Sequence, residues 1–282
     1  AFTYFLGFKV NSDEYKVMGL APYGDPIYVD IIKKNLIDIK DDGSFKLNQK
    51  YFSYATDLVM TSPDFEKLFD IKKRDKNDKI FKIHKDLAAS IQTVSEEIIN
   101  KVVINAKEIT GSNNLCLAGG VALNCVANGK IYKNKIFENI WVQPAAGDAG
   151  GSLGAALALY YSKNLDRKID KSDSMKNSYL GPKYNISEIE REIKDNISKM
   201  SYEYFNNEEF FYSKVVDEIL KGYCIGWFQG KMEYGPRALG NRSIIADPRP
   251  KDMQSKINLK IKFREGFRPF APMILESEVN KW

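Results

Sequence analysis

Cysteine and histidine are scarce: three and one, respectively, in 282 residues. Cys116, Cys125 and Cys224 form no Cys-x-x-Cys pair, and His84 is the one imidazole, so a Cys/His zinc centre is not expected. An odd cysteine count without a framework fits a reducing compartment, and a cytoplasmic location is expected. Each cysteine lies among apolar neighbours, so buried thiols are expected. No apolar run is long enough to span a bilayer, and no secretory leader pattern is present. Neither a Walker A loop nor G-x-G-x-x-G occurs, which removes the P-loop and Rossmann readings.

What remains is a chain of globular composition, 44% hydrophobic and 28% charged, long enough for two domains. Its positive charge is local. From Lys231 to Arg268 there are ten basic and four acidic residues, a net of +6 against +5 for the whole chain. A basic run of this kind is usually a solvated face. Here the arginines sit among glycine, proline and aromatic residues, as a polyanion-binding pocket requires. Gly235-Pro236-Arg237-Ala238-Leu239-Gly240-Asn241-Arg242-Ser243 suits tight turns with free backbone N–H groups beside two guanidinium forks. Asn258 to Arg264 alternates polar and apolar residues. That alternation predicts a strand with Lys260, Lys262 and Arg264 on one face and Leu259, Ile261 and Phe263 on the other.

Upstream, Phe2 to Phe8 reads as strand-like. Glu14 to Gly24 reads as a short helix with a Pro/Gly stop, and Asp41-Asp42-Gly43-Ser44 as a turn between strands. Leu87, Ile91, Val94, Ile98 and Val102 put an apolar stripe on a helix over His84–Thr110. His84, at its start, reads as a cap or surface residue sooner than a ligand. Gln92 and Glu96 lie on this helix with no sequence signal of their own. Asn114 to Leu117 and Ile140 to Gln143 read as buried strands, each running through a glycine loop into a helix. The loops are Ala118-Gly119-Gly120-Val121-Ala122-Leu123-Asn124 and Pro144-Ala145-Ala146-Gly147-Asp148-Ala149-Gly150-Gly151. Two such units in succession predict parallel α/β architecture. Glycine at a strand exit lets a nucleotide approach the backbone, but close helix–strand packing also selects it. Asp148 is either a helix cap or a ligand. Amphipathic helices are expected over Ile186–Met200 and Asn207–Lys221, then a strand over Tyr223–Phe228.

Four stretches carry a resemblance. FQGKMEYGPRALGNRSIIADPR and KFREGFRPFAP, with LAGGVALNCVANGKI and QPAAGDAGGSLGAAL, resemble the nodulation- and cephamycin-type O-carbamoyltransferases. EYKVMGLAPYG is similar to a further element of that family. The resemblance implies an α/β fold. It consists of the second lobe of an actin/sugar-kinase-like (ASKHA) domain over residues 1–170, then part of a YrdC-like domain over 171–282. It implies a fragment lacking the family's N-terminal third, inactive alone. It implies that Gly119, Gly120, Asn124 and Gly150 contact nucleotide. Asp148 would ligate Fe or Mn, the other ligands being histidines of the missing third, so that the metal site here should be incomplete.

The expected activity is ATP-dependent transfer. Carbamoyl phosphate is activated as carbamoyl-adenylate and the carbamoyl group passes to a hydroxyl of a sugar or natural-product acceptor. Both donors are polyanions, so cations must neutralise phosphate as charge moves. Arg237, Arg242 and Arg264 are the expected catalytic cations. Lys231, Lys262 and Arg268 are expected to bind substrate, with Ser243 and Asn258 as hydrogen-bond partners. ATP would bring Mg. Two other readings stand: a nucleic-acid-binding YrdC-like module, and a hydrogenase-maturation-type carbamoyltransferase. Against the first, the cations are not spread along a stripe with stacking aromatics. For the second, the zinc-binding cysteine pairs are not in this chain. No motif marks the acceptor or the oligomeric state.

Overall fold

Phe2 and Phe5 share one helical turn, α1 (Phe2–Phe5), and pack on Phe65 and Phe69 of α4 (Pro63–Phe69) with ring centroids 4.8 to 6.3 Å apart. The strand expected over Phe2 to Phe8 is therefore a turn. Phe5 and Leu6 donate their N–H groups to the Ala1 and Phe2 carbonyls, both at 2.9 Å, and a three-residue spacing puts both rings on one side. In this computed structural model residues 1–164, 172–196 and 201–281 are described. The boundary expected near residue 170 and the end of the helix expected over Ile186–Met200 lie outside them. The chain divides into two compact units, Ala1–Val142 with Phe267–Pro269, and Gln143–Gly266 with Phe270–Trp282.

The first unit holds most of the buried apolar surface. α2 (Glu14–Leu20) and α3 (Val29–Asn35) place Leu20 and Ile32, each 1% exposed, against the phenylalanine cluster. β1 (Ile37–Ile39) and β2 (Phe45–Leu47) form the expected hairpin, with Gly43 at φ +85°. The expected long helix is α5 (Lys82–Thr110), closed by Gly111 at φ +62°. Its stripe buries Leu87 and Val94 in the core. His84 takes the capping role: Nδ1 accepts the Phe81 N–H at 2.9 Å.

β3 (Asn114–Leu117) and β4 (Asn139–Val142) pair in parallel, Leu115 opposite Ile140 and Cys116 opposite Trp141. Alternation sends Leu115, Leu117 and Ile140 to a small core with Val103, Ile131 and Phe137. The other face is open, with Trp141 45% exposed. Cys116 lies on that face and Cys125 opens α6 (Cys125–Lys133); both are exposed and Cys224 is half-buried, which corrects the expectation of buried thiols.

In the second unit, α7 (Ala149–Lys163), α8 (Ile186–Asp195) and α9 (Glu208–Leu220) carry no buried residue among those described. Reciprocal Asn185 and Glu188 bonds cap α8. β5 (Ile225–Phe228) and β6 (Arg242–Ile245) are antiparallel, Trp227 opposite Ser243. The strand expected over Asn258–Arg264 is absent. α10 (Met253–Lys256) runs into a wide turn over Ile257–Ile261, closed by the Lys262 N–H on the Ile257 carbonyl at 2.9 Å. Met253 and Ile257, four apart, are the apolar residues buried, with Asn258 beside them, while Leu259, Ile261 and Phe263 are exposed. Helical spacing wins over the alternation, and Lys260, Lys262 and Arg264 form no cationic comb. Among the described residues no helix is long and apolar enough to cross a membrane.

Candidate functional site

Within the first unit, the glycine loop leaves β3 with Gly119 at φ +95°, a conformation that disfavours any side chain. Beyond their chain neighbours, Gly119 and Gly120 have no atom within 4 Å of where a side chain would start, so this backbone is open. A single tight turn over Gly120–Leu123 follows, closed by the Asn124 N–H on the Val121 carbonyl at 2.9 Å. Asn124 then caps α6, its Oδ1 accepting the Ala127 N–H at 3.1 Å. The same side chain forms a reciprocal amide pair with Gln92 of α5, both bonds at 3.1 Å. Glu96, 8% exposed, accepts from Gln92 Nε2 at 2.8 Å and from Lys130. An open groove of about 320 Å³ between α5 and α6 is lined by Thr93, Glu96 and Asn100 on one side and Ala127, Lys130 and Ile131 on the other, and by none of the residues expected to form the site.

Within the second unit, Asp148 stands at the N-terminus of α7 with its carboxylate exposed and making no capping bond. Gly150 packs so closely on the Ala145 carbonyl that a Cβ would lie 2.2 Å from the oxygen. This loop abuts the basic loop. Tyr234 donates its hydroxyl to the Ala149 carbonyl and lies 3.0 Å from Ser152 Oγ. Gly235, at φ +129°, permits a close approach to Pro144. Two sequence-distant stretches, 144–152 and 234–243, thus meet in one unit.

The basic loop is built around a carboxylate that sequence reading passed over. Glu233, 6% exposed, accepts the backbone N–H groups of Leu239, Asn241 and Arg242 at 2.7, 2.8 and 3.3 Å, all on Oε1. Three of the loop's N–H groups, expected to be free for an external anion, are taken by an internal one. Ser243 Oγ accepts the Gly240 N–H at 3.0 Å. The Arg242 guanidinium donates to the carbonyls of Gln229 and Asn241 at 2.6 and 2.8 Å and lies 3.6 Å over the Phe228 ring.

The other expected cations fall into two groups. Arg264 donates Nε to Asn258 Oδ1 at 2.7 Å and lies over Phe270, while Asn258, fully buried, donates to the Gly266 carbonyl. Arg268 is buried in the first unit, its guanidinium 4.4 Å over the Tyr15 ring. By contrast Lys231, Arg237 and Lys262 are exposed, and their charged ends engage no partner among the described residues. Arg249 is tied to Asp247, whose carboxyl it lowers to about 2. Among the described residues no three His, Cys, Asp or Glu side chains converge, so the donor set does not fit an Fe or Mn centre.

The carbamoyltransferase N-terminus family model matches residues 1–157, and the carbamoyltransferase C-terminus model matches residues 216–282. The chain belongs to the carbamoyltransferase family. An uncharacterized protein of Synechocystis sp. is 52% identical over 100% of this chain, which covers 46% of that relative. Nodulation protein NolNO of Sinorhizobium fredii is 40% identical over 96% of the chain, covering 37% of the relative. Nodulation protein NolO of Bradyrhizobium diazoefficiens is 38% identical over 96%, covering 46% of the relative. The chain thus spans under half the length of these relatives. The family's N-terminal match takes in both glycine loops and Asp148, and its C-terminal match takes in the whole basic segment.

Proposed function

We propose that the chain serves ATP-dependent O-carbamoyl transfer, in which carbamoyl phosphate is activated as carbamoyl-adenylate and the carbamoyl group passes to a hydroxyl of a sugar or natural-product acceptor. In this reading the first glycine loop belongs to the second lobe of an actin/sugar-kinase-like domain, and the basic segment to a YrdC-like domain. The observation that carries it is Arg237: an exposed, unengaged guanidinium on a loop whose backbone is held from within by Glu233. A fixed loop with a free cation binds phosphate without first reorganising.

Arg237, with Lys231 and Lys262, neutralises phosphate oxygens in two steps that balance: water releases inorganic phosphate from carbamoyl phosphate to leave carbamate, and a carbamate oxygen then bonds to the α-phosphorus of ATP as its bond to pyrophosphate breaks. Arg242, Arg264, Ser243 and Asn258 hold the walls that present them, through the hydrogen bonds described above. Gly119, Gly120, Asn124 and Gly150 form nucleotide-facing loops. Mg accompanies ATP, and Asp148 is one carboxylate of a fuller Fe or Mn ligand set. The residues present here do not complete that set, and the transfer proposed rests on the side chains.

The test is ATP–pyrophosphate exchange dependent on carbamoyl phosphate, in the full chain. Arg237→Ala removes a charge-assisted contact worth about 1.5–3 kcal/mol, and exchange should fall by roughly ten- to a hundredfold. Exchange at the unmodified rate in Arg237→Ala would remove the phosphate-binding role.

A further inference from the structure

The polarity of one amide pair points to a residue that the reaction chemistry does not itself single out. Glu96 is buried, and as a carboxylate it only accepts. Its Oε1 takes a hydrogen from Gln92 Nε2 at 2.8 Å. Gln92 must therefore turn its NH2 group toward Glu96, which leaves its carbonyl to face Asn124. Asn124 answers with Nδ2 to Gln92 Oε1 and receives the second Gln92 hydrogen on Oδ1, both at 3.1 Å. That same Oδ1 accepts the Ala127 N–H and starts α6. The Asn128 side chain closes the loop from the other end, donating to the Ala122 carbonyl at 2.7 Å.

Every polar atom of the Gln92 amide is thus committed, and so is every polar atom of the Asn124 amide. Each step fixes the direction of the next, from Glu96 through Gln92 and Asn124 to the first turn of α6. Lys130 anchors the outer end on Glu96. A Cβ at Gly119 or Gly120 would meet open space; within the Gly119–Asn124 loop the Ala122 N–H bonds the Gly119 carbonyl at 3.0 Å and Ala122 is buried, and the chain of amide bonds ties this turn to α5.

We propose that Gln92 is a positioning residue: without touching the nucleotide it locks the Gly119–Asn124 loop in its nucleotide-receiving conformation. The inference rests on the reading of that loop as nucleotide-facing. Losing the lock lowers the population of the competent loop and weakens apparent nucleotide affinity in proportion. It does not change the reacting groups, so the effect falls on KM and not on kcat.

The experiment uses the full chain and two variants. Gln92→Met removes the amide. Gln92→Glu keeps the shape but replaces Nε2, the donor to both Glu96 Oε1 and Asn124 Oδ1, with an acceptor oxygen that faces both, so it serves if Gln92→Met fails to fold. Hydrogen exchange is followed over residues 119–128 with and without ATP, and ATP KM and kcat are taken from carbamoyl-phosphate-dependent pyrophosphate exchange. In the unmodified protein ATP should protect 119–128. In either variant those amides should exchange faster and KM for ATP should rise about tenfold or more, with kcat changed by less than about threefold. Absence of ATP protection in the unmodified protein would overturn the nucleotide reading and the inference with it. Protection there, combined with unaltered exchange and KM in a folded variant, would overturn the inference alone. A fall in kcat at unchanged KM would also overturn it.

Discussion

Glu233 Oε1 accepts the backbone N–H of Leu239, six positions on, at 2.7 Å, and so closes a loop that carries Arg237. With the Asn241 and Arg242 amides on the same oxygen, one carboxylate sets the path of the GPRALGNR loop. Glu233→Ala should leave these inward-facing donors without an acceptor, at a cost of about 1–3 kcal/mol. Glu233→Gln keeps an acceptor but loses the charge and should cost less. Burial pushes the Glu233 carboxyl up, but the Leu239, Asn241 and Arg242 amides outweigh it and hold it below its usual value. The folded state therefore binds fewer protons than the unfolded one. This stabilisation is complete above the ordinary carboxylate range, about pH 4.3, and is lost as pH falls through the depressed value. Urea melts at pH 7 and pH 3.5 check it: the gap between the unmodified protein and Glu233→Ala should narrow at the lower pH.

His84 offers a second titration, near neutral pH. Burial, and then the neighbouring Arg74 guanidinium, lower its pKa, while Asp78 opposes them. Its Nδ1 must stay unprotonated to accept the Phe81 N–H. Sign follows from that: a His held below its unfolded value of about 6.5 contributes stability above that pH and loses it as pH falls through the folded value. The N-terminus of α5 should loosen on acidification from pH 7.5 to 5. His84→Ala should cost about 0.5–2 kcal/mol at pH 7.5 and flatten the dependence of Tm on pH over that interval. An unchanged slope in His84→Ala would assign the pH dependence to other groups.

How far the sequence carried these features depends on what kind of interaction makes them. α5 was legible because its stripe repeats over many turns, and the parallel pairing of β3 with β4 because each strand leads through glycine into a helix. Asn258–Arg264 was not. Period-two alternation of seven residues competes with Met253 and Ile257 four apart, and burial chose the helical pair. The basic loop was legible in its cations but not in its arrangement. A count of charges cannot say that Arg242 spends its fork on backbone carbonyls while Arg237 keeps its own free. Glu233 and Gln92 were missed for the same reason. Their partners are backbone groups and amides brought close by the fold, and no residue pattern announces them.

The glycines of the 144–151 loop separate packing from exposure, and two substitutions one residue apart should have opposite signs. Gly150 sits against the Ala145 carbonyl oxygen, 2.2 Å from where a Cβ would stand, and the obstacle is backbone, not a flexible side chain. Gly150→Ala must shift the loop or the first turn of α7, which costs typically about 1–3 kcal/mol in a packed site. Gly151 is also in the first turn of α7, with no atom within 4 Å of its own Cβ position beyond its immediate surroundings. Alanine is the better helix former there, so Gly151→Ala should stabilise by up to about 1 kcal/mol. Thermal melts of the two variants decide the matter. If both lower Tm equally, Gly151 faces a partner surface and the helix is not open on that side. If Gly150→Ala is neutral, the close contact with Ala145 relaxes freely, and Gly150 serves the loop through its open backbone instead of its packing.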